Sequence, residues 1–141
     1  MHLLDVNILI ARADTSHPHH QLTKDWMYSN TDGWATCAIT ENGLLRILGD
    51  PKYPGNGAQS PRMAALALKG MISSIVGHRF SAENLSLLTP SISLNGVTPA
   101  QLTDIYLLAL ALKHQAKFLT LDHRINTDRV PGGATTLTVL S

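Results

Sequence analysis

Cysteine and long apolar runs are both scarce in this sequence of 141 residues. The single cysteine, Cys37, has no partner within the chain, so an intramolecular disulfide is excluded. The longest apolar run, Ile105 to Leu112, is far shorter than the roughly 20 residues that a membrane-spanning helix needs. No charged segment followed by an apolar leader stands at the N-terminus. We therefore expect a cytoplasmic protein with no membrane role.

An excess of charge of one sign is also lacking. The 11 Lys and Arg residues are balanced by 10 Asp and Glu residues, which leaves a formal net charge of +1. A protein that binds nucleic acid over its whole surface usually carries a large basic excess, so any such contact must be local. A hydrophobic content of 44% excludes intrinsic disorder, and the length suits one domain over residues 1–141.

Short apolar runs alternate with amphipathic stretches, and this alternation predicts an α/β fold. Because strands separated by helices cannot pair as hairpins, we expect a parallel five-stranded sheet with helices on both faces. Strands are predicted at residues 2–4, 34–39, 85–88, 117–121 and 135–140. Helices are predicted at residues 7–13, 16–30, 41–48, 60–76 and 99–115. Thr40 is expected to cap the third helix, a capping box of Thr98 and Gln101 to start the fifth, and residues 49–59 to form a loop.

Four of the 10 acidic residues stand in apolar surroundings. They are Asp5 in LLDVNILI, Glu41 in CAITENGLL, Asp104 in QLTDIYLL and Asp122 in FLTLDHRI. A carboxylate withdrawn from water is costly unless it has a partner, so the four together predict a shared cation. The other acids lie among turn or polar residues and are expected to be solvated: Asp14, Asp25, Asp32, Asp50, Glu83 and Asp128.

The predicted elements allow the four acids to meet. Asp5 and Asp122 end predicted strands, while Glu41 and Asp104 lie in the first turns of predicted helices. All four can therefore face the carboxyl edge of one parallel sheet. Carboxylate oxygens suit Mg²⁺ or Mn²⁺ better than Zn²⁺. Taken singly, each has a simpler explanation, since acids favour helix starts, cap helices and begin turns.

The ordered set LLDVN, TENG, LTDIYLLALA and LTLD resembles the PIN-domain nucleases, in particular the VapC-type toxins of bacterial type II toxin–antitoxin modules. The resemblance covers essentially the whole chain. It implies a PIN-like domain and a Mg²⁺- or Mn²⁺-dependent endoribonuclease that cleaves tRNA or rRNA and so blocks translation. It also implies a VapB-type antitoxin that covers the site, and a homodimer.

The resemblance assigns roles to residues that match the family motifs. It implies a catalytic, metal-binding set of Asp5, Glu41, Asp104 and Asp122. Asn7 matches the DxN position and Thr120 the TxD position, where each would orient the acids. The chain departs from a common form of the family at residues 123–125, where HRI replaces a second acid or Asn and an aromatic.

RNA phosphates need cations, and the basic candidates near the same edge are Arg12, Arg46, Lys52 and Arg124. Two alternatives remain open. An aspartyl-phosphate protein, of the receiver or phosphatase type, shares the parallel sheet, the acids and Mg²⁺. Its usual second acid is missing, because Asp5 is followed by Val6 and Asn7. A non-catalytic PIN-like RNA-binding module would bind RNA without Mn²⁺-dependent cleavage.

Overall fold

The computed structural model describes residues 1–141, in which short strands alternate with helices. The strands are β1 (His2–Leu4), β2 (Trp34–Thr36), β3 (His78–Phe80), β4 (Lys117–Thr120) and β5 (Leu137–Val139). The helices are α1 (Val6–Ala13), α2 (His20–Ser29), α3 (Ala38–Leu48), α4 (Pro61–Ser74), α5 (Leu102–Lys113) and α6 (Gly133–Thr136). A single 3-10 turn, Pro99–Gln101, leads into α5. None of the helices combines the length and apolar character that crossing a membrane requires.

The strands form one parallel sheet in the order β3-β2-β1-β4-β5, which confirms the predicted α/β fold. β1 is central, and its Leu3 pairs with Ala35 of β2 and with Phe118 of β4. β2 and β3 lie on one side of β1, and β4 and β5 lie on the other. The topological switch point therefore lies between β1 and β4. In open parallel sheets, ligands bind at the carboxyl ends of the strands beside such a point.

The core consists of two apolar layers, one on each face of the sheet. Side chains alternate across a strand, so Leu3 and Phe118 join the layer built with α5. Leu4 and Leu119 join the opposite layer, built with α1, α3 and α4. Leu4, Phe118 and Leu119 are completely buried. The two layers confirm that helices cover both faces and hold the central strands in place.

The predicted strand at residues 85–88 is wrong, and β3 occupies that place in the sheet. β3 pairs with β2 so that His78 lies opposite Trp34. As an edge strand it is largely exposed, and its sequence therefore lacks the apolar run that marks a buried strand. The apolar residues of 85–88 lie instead in a connection without helix or strand, where Leu88 is 90% exposed.

Other predicted boundaries shift by a few residues. α3 begins at Ala38 with Cys37 rather than Thr40 as its N-cap, and β2 is correspondingly shorter than predicted. Thr40 still stabilises this helix start, because its Oγ1 accepts the backbone N–H of Cys37 at 3.0 Å. α2 starts later than predicted, and α6 takes the first residues of the predicted fifth strand. The Thr98 backbone N–H donates to Gln101 Oε1 at 3.0 Å, as the capping box predicts.

The expectation that Asp14 is solvated is wrong, because the residue is only 2% exposed. Its carboxylate accepts hydrogen bonds from the hydroxyls of Tyr53 at 2.6 Å and Ser16 at 2.7 Å, and from the backbone N–H of Asn56 at 3.1 Å. Burial by itself raises the pKa of Asp14, but these bonds outweigh it and lower the pKa to about 2. The loop at residues 49–59 is thereby held against the end of α1.

Tyr53→Phe removes the hydroxyl that donates to Asp14 and leaves the buried carboxylate with one donor fewer. We expect the free energy of unfolding near neutral pH to fall by about 1–3 kcal/mol. The depressed pKa of Asp14 contributes stability that is present above pH 3.8 and is lost as the pH falls toward about 2. The difference in free energy of unfolding between variant and parent, measured by urea denaturation, should therefore become smaller as the pH falls through this range.

The matched control is Tyr28→Phe, because Tyr28 is 63% exposed and its hydroxyl has no protein partner. A Tyr53→Phe variant as stable as this control at neutral pH would contradict the anchoring role of Asp14.

Candidate active site

The carboxyl ends of β1 and β4 place two acids at the switch point of the sheet. Asp5 follows β1 and caps α1, where its Oδ1 accepts the backbone N–H of Val6 at 2.7 Å. Asp122 follows β4, and its backbone N–H donates to Thr120 Oγ1 at 3.0 Å. The capping role that the sequence allows for Asp5 is therefore present. The cap uses Asp5 Oδ1, so Asp5 Oδ2 is left to face β4.

A network formed by Thr120 and Asn7 holds that second oxygen of Asp5. The Thr120 hydroxyl donates to Asp5 Oδ2 at 2.7 Å, and Asn7 Nδ2 donates to the same oxygen at 3.1 Å. Asn7 Nδ2 also lies 3.0 Å from Thr120 Oγ1, and Asn7 Oδ1 accepts the backbone N–H of Leu121 at 3.1 Å. The amide, the hydroxyl and the carboxylate are therefore locked in one mutual orientation.

Burial makes Asp5 and Asp104 difficult to ionise. Desolvation raises the pKa of Asp5, and the hydrogen bonds from Thr120 and Val6 offset only part of that effect. Asp104 lies half-buried in the first turn of α5 and accepts no hydrogen bond from the protein. Burial, followed by the negative charges of Asp5 and Asp122, raises the pKa of Asp104 to about 6. Asp5, Asp104 and Asp122 thus lie within electrostatic reach of one another.

Asp122 forms the one ion pair of the protein. Arg124 Nε lies 3.0 Å from Asp122 Oδ1, and Arg124 Nη2 lies 3.4 Å from Oδ2. The backbone N–H of Arg124 also donates to Oδ1 at 2.8 Å. The Arg124 side chain and then its backbone N–H lower the pKa of Asp122. A basic side chain therefore stands at the solvent side of the three acids.

The other three predicted RNA contacts lie away from this ion pair. The guanidinium carbon of Arg12 lies 5.8 Å from the centre of the Tyr28 ring. Arg46 lies on α3 and lines a separate cleft with Pro61. Lys52 lies in the loop at residues 49–59. Of the four candidates, Arg124 alone affects the pKa of Asp104.

The hydrogen-bond partner of Glu41 comes from β2 and not from the other three acids. Glu41 Oε1 accepts the Thr36 hydroxyl at 2.6 Å, and the same hydroxyl lies 2.8 Å from His78 Nε2. Because the only hydroxyl proton goes to Glu41, His78 Nε2 must donate to Thr36. Burial lowers the pKa of His78, and the charge of Glu41 opposes this effect. No group of three or more acids, histidines or cysteines is arranged to hold a metal ion together.

Sequence reasoning missed Thr36 and His78. Thr36 ends β2 as Thr120 ends β4, and both hydroxyls donate to a carboxylate. The predicted strand at residues 34–39 runs past Thr36, so this parallel is hidden in the sequence. His78 offers no sequence signal, because it belongs to the edge strand that the apolar pattern does not reveal. Its ring packs against Trp34, with the two ring centres 4.6 Å apart.

Thr120→Val removes the hydroxyl while preserving the shape of the side chain. Asp5 Oδ2 then loses a donor, and the N–H groups of Asn7 and Asp122 lose an acceptor. We expect the free energy of unfolding to fall by about 1–3 kcal/mol in urea denaturation. Thr120→Ser keeps the hydroxyl and is the matched control. Equal losses in the two variants would show that the hydrogen bonds do not stabilise this edge.

The negative charge at this edge favours a positively charged ligand. The carboxylates of Asp5 and Asp122 lie near enough to Asp104 for their charges to raise its pKa, and a solvent-facing depression lined by Asn7, Leu121, Asp122 and Arg124 opens beside Asp122. Oxygen-only donor sets of this kind suit Mg²⁺ or Mn²⁺.

Comparison with known proteins identifies close relatives, although no protein-family model matches the chain. The chain is 38% identical to Ribonuclease VapC44 of Mycobacterium tuberculosis over 135 residues, which cover 92% of both proteins. It is also 38% identical to Ribonuclease VapC38 of the same organism over 130 residues, which cover 90% of this chain and 89% of that protein.

A solved structure shows a more partial likeness. Mycobacterium tuberculosis VapC20, described as a Sarcin-Ricin loop cleaving toxin, superposes with a TM-score of 0.46 at 15% identity. The superposition covers 62% of this chain and 60% of that one. The two sequence relatives, in contrast, match over nearly their full length and confirm the resemblance to VapC-type toxins. The chain belongs to the VapC family of ribonucleases.

Proposed function

We propose that this chain is a Mg²⁺- or Mn²⁺-dependent endoribonuclease that acts in the cytoplasm as the toxin of a bacterial type II toxin–antitoxin module. Membership of the VapC ribonucleases supports the reaction class. The observation that carries the metal dependence is the environment of Asp104. This carboxylate is half-buried, accepts no hydrogen bond and is affected by the charges of Asp5 and Asp122. A cation is the partner that such a group lacks.

The oxygen donors at this edge are of the kind that a hard divalent cation prefers. Asp5, Asp104 and Asp122 would hold it through carboxylate oxygens, the donors that Mg²⁺ and Mn²⁺ prefer. Glu41 has only one oxygen engaged by the protein and would contribute the other, directly or through water. No cysteine or histidine belongs to this set, which disfavours zinc.

The chemistry requires no nucleophilic side chain. A cation held by these carboxylates would supply acidification and orientation of a water molecule and neutralisation of charge on the scissile phosphate. Thr120 and Asn7 keep the Asp5 carboxylate from rotating, so this ligand is oriented before the cation arrives. Arg124 places a positive charge where an RNA phosphate approaches the acids.

The proposed substrate is RNA, and more specifically tRNA or rRNA. The proposal includes a VapB-type antitoxin that covers the acidic edge, and a homodimer. Family membership is the support for these partners. The aspartyl-phosphate alternative gains no support, because both carboxylate oxygens of Asp5 already accept hydrogen bonds from the protein.

Asp5→Asn and Asp104→Asn each remove one negative charge from the site and preserve the side-chain shape. We expect each to lower the rate of Mn²⁺-dependent RNA cleavage at least about 100-fold, because the carboxylates hold the cation that activates water. A gel assay with a mixed-sequence RNA measures the rate, and circular dichroism verifies the fold.

The matched control for these variants is Asp32→Asn, which changes an exposed acid before β2, at the opposite end of the sheet. It should cleave as the parent does. Undiminished cleavage by Asp104→Asn would defeat the assignment of this residue. RNA binding by the parent with no cleavage at any Mn²⁺ concentration would favour the non-catalytic module.

Removing the repulsion at Asp104 should also change stability. Without metal, Asp104→Asn should raise Tm by a few degrees, because it removes a buried charge that has no partner. Mn²⁺ at 100 times its Kd should stabilise the parent by about 2.7 kcal/mol and the variant by much less. Thermal unfolding in EDTA and in Mn²⁺ measures both effects. An equal Mn²⁺ response in parent and variant would exclude Asp104 as a ligand.

A further inference from the structure

A small cavity shares Asp104 with the group of three acids and extends away from Asp5. Its polar lining consists of Gln101, Arg124, Asn126 and Arg129, here called the donor pocket, and Asp104 forms part of its wall. We propose that the donor pocket binds a backbone phosphate of the RNA strand adjacent to the phosphate that is cut. This inference rests on the proposed function and names a substrate subsite for it.

The two amide side chains of the donor pocket present hydrogen-bond donors, because their acceptor oxygens are already engaged. Gln101 Oε1 accepts the backbone N–H of Thr98 at 3.0 Å. Asn126 Oδ1 accepts the backbone N–H of Asp128 at 2.9 Å. Neither NH₂ group has an acceptor within the protein. Amides oriented in this way offer N–H groups to an anion.

Arg129 supplies a positive charge that no carboxylate neutralises. The only ion pair of the protein joins Arg124 to Asp122, so Arg129 is unpaired. Arg129 is partly buried, and a Cβ built on Gly96 would lie 3.5 Å from its Nη2. The guanidinium therefore rests close to the backbone of the segment before α5. A planar guanidinium can donate two parallel N–H bonds to one phosphate.

The position of the pocket favours a phosphate of the same strand that reaches the acids. Asp104 belongs to both features, so a strand whose scissile phosphate meets the acids passes directly beside the donor pocket. The pocket also adjoins the N-terminal end of α5, where the helix dipole favours an anion. Phosphate contacts position a nucleic acid without reading its bases. The donor pocket would therefore set affinity and register rather than sequence preference.

The test uses Arg129→Gln, which removes the charge and keeps a polar side chain. Binding is measured in the Asp5→Asn background with Mn²⁺, so that the RNA remains intact. The probe is a fluorescent, mixed-sequence, single-stranded oligoribonucleotide followed by anisotropy. We expect Arg129→Gln to weaken binding about tenfold and to reduce the slope of log K against log salt by about 0.7.

The matched control is Arg62→Gln, which removes the same charge from the exposed start of α4. This variant should bind RNA as its parent does. In the protein with Asp5 intact, Arg129→Gln should raise KM with little change in kcat, because a remote phosphate contact persists from ground state to transition state. Arg129→Lys should bind RNA more tightly than Arg129→Gln but less tightly than the parent. Lysine keeps the positive charge but cannot donate two parallel hydrogen bonds to one phosphate.

The outcomes separate this inference from the proposed function. If the parent cleaves RNA while Arg129→Gln matches Arg62→Gln in Kd, salt slope and KM, the donor pocket is not a phosphate site and the nuclease assignment stands. If Arg62→Gln weakens RNA binding as much as Arg129→Gln does, the weaker binding reflects only the change in net charge, and the pocket assignment is again wrong. A parent that cleaves no RNA overturns the proposed function, and the subsite with it.

Discussion

The hydrogen bond from Thr120 to Asp5 is the contact on which the candidate site depends. It joins residues 115 positions apart in the sequence, at a distance of 2.7 Å, across the switch point of the sheet. The backbone N–H of Asp5 also donates to the carbonyl of Leu119 at 2.9 Å, so the end of β1 is bound to β4 by main chain and side chain alike. Because Asp5 also caps α1, one residue fixes the end of a strand, the start of a helix and the orientation of a carboxylate.

This rigidity places negative charges where the apolar core makes them unfavourable. Asp5 and Asp104 both have raised pKa values, chiefly because burial removes water from their carboxylates. The protein tolerates these groups because two continuous apolar layers stabilise the sheet from both faces. In the proposed function, the site gives up stability in the free protein and would recover it on binding a cation.

Acidic and basic side chains occupy separate positions around the carboxyl edge of the sheet. Asp5 and Asp122 follow β1 and β4, and Asp104 lies in the first turn of α5. Arg124 and Arg129 lie farther along the segment after β4. A nearly neutral chain in this way presents an acidic surface and a basic surface side by side. The overall net charge of +1 conceals that local separation. Glu41 belongs to a neighbouring arrangement, in which Thr36 and His78 set its orientation from β2 and β3.

The amino-acid sequence by itself determined the parallel α/β architecture and the positions of Asp5 and Asp122 after β1 and β4. Both follow from local patterns, since apolar periodicity and strand ends can be read within a few residues. Only the tertiary structure decided that β3 is the edge strand, that Asp14 is buried beneath Tyr53, and that Glu41 is held by Thr36. These features depend on side chains from distant segments meeting in space, and an exposed edge strand or a buried acid with distant donors leaves no periodic trace in its own segment.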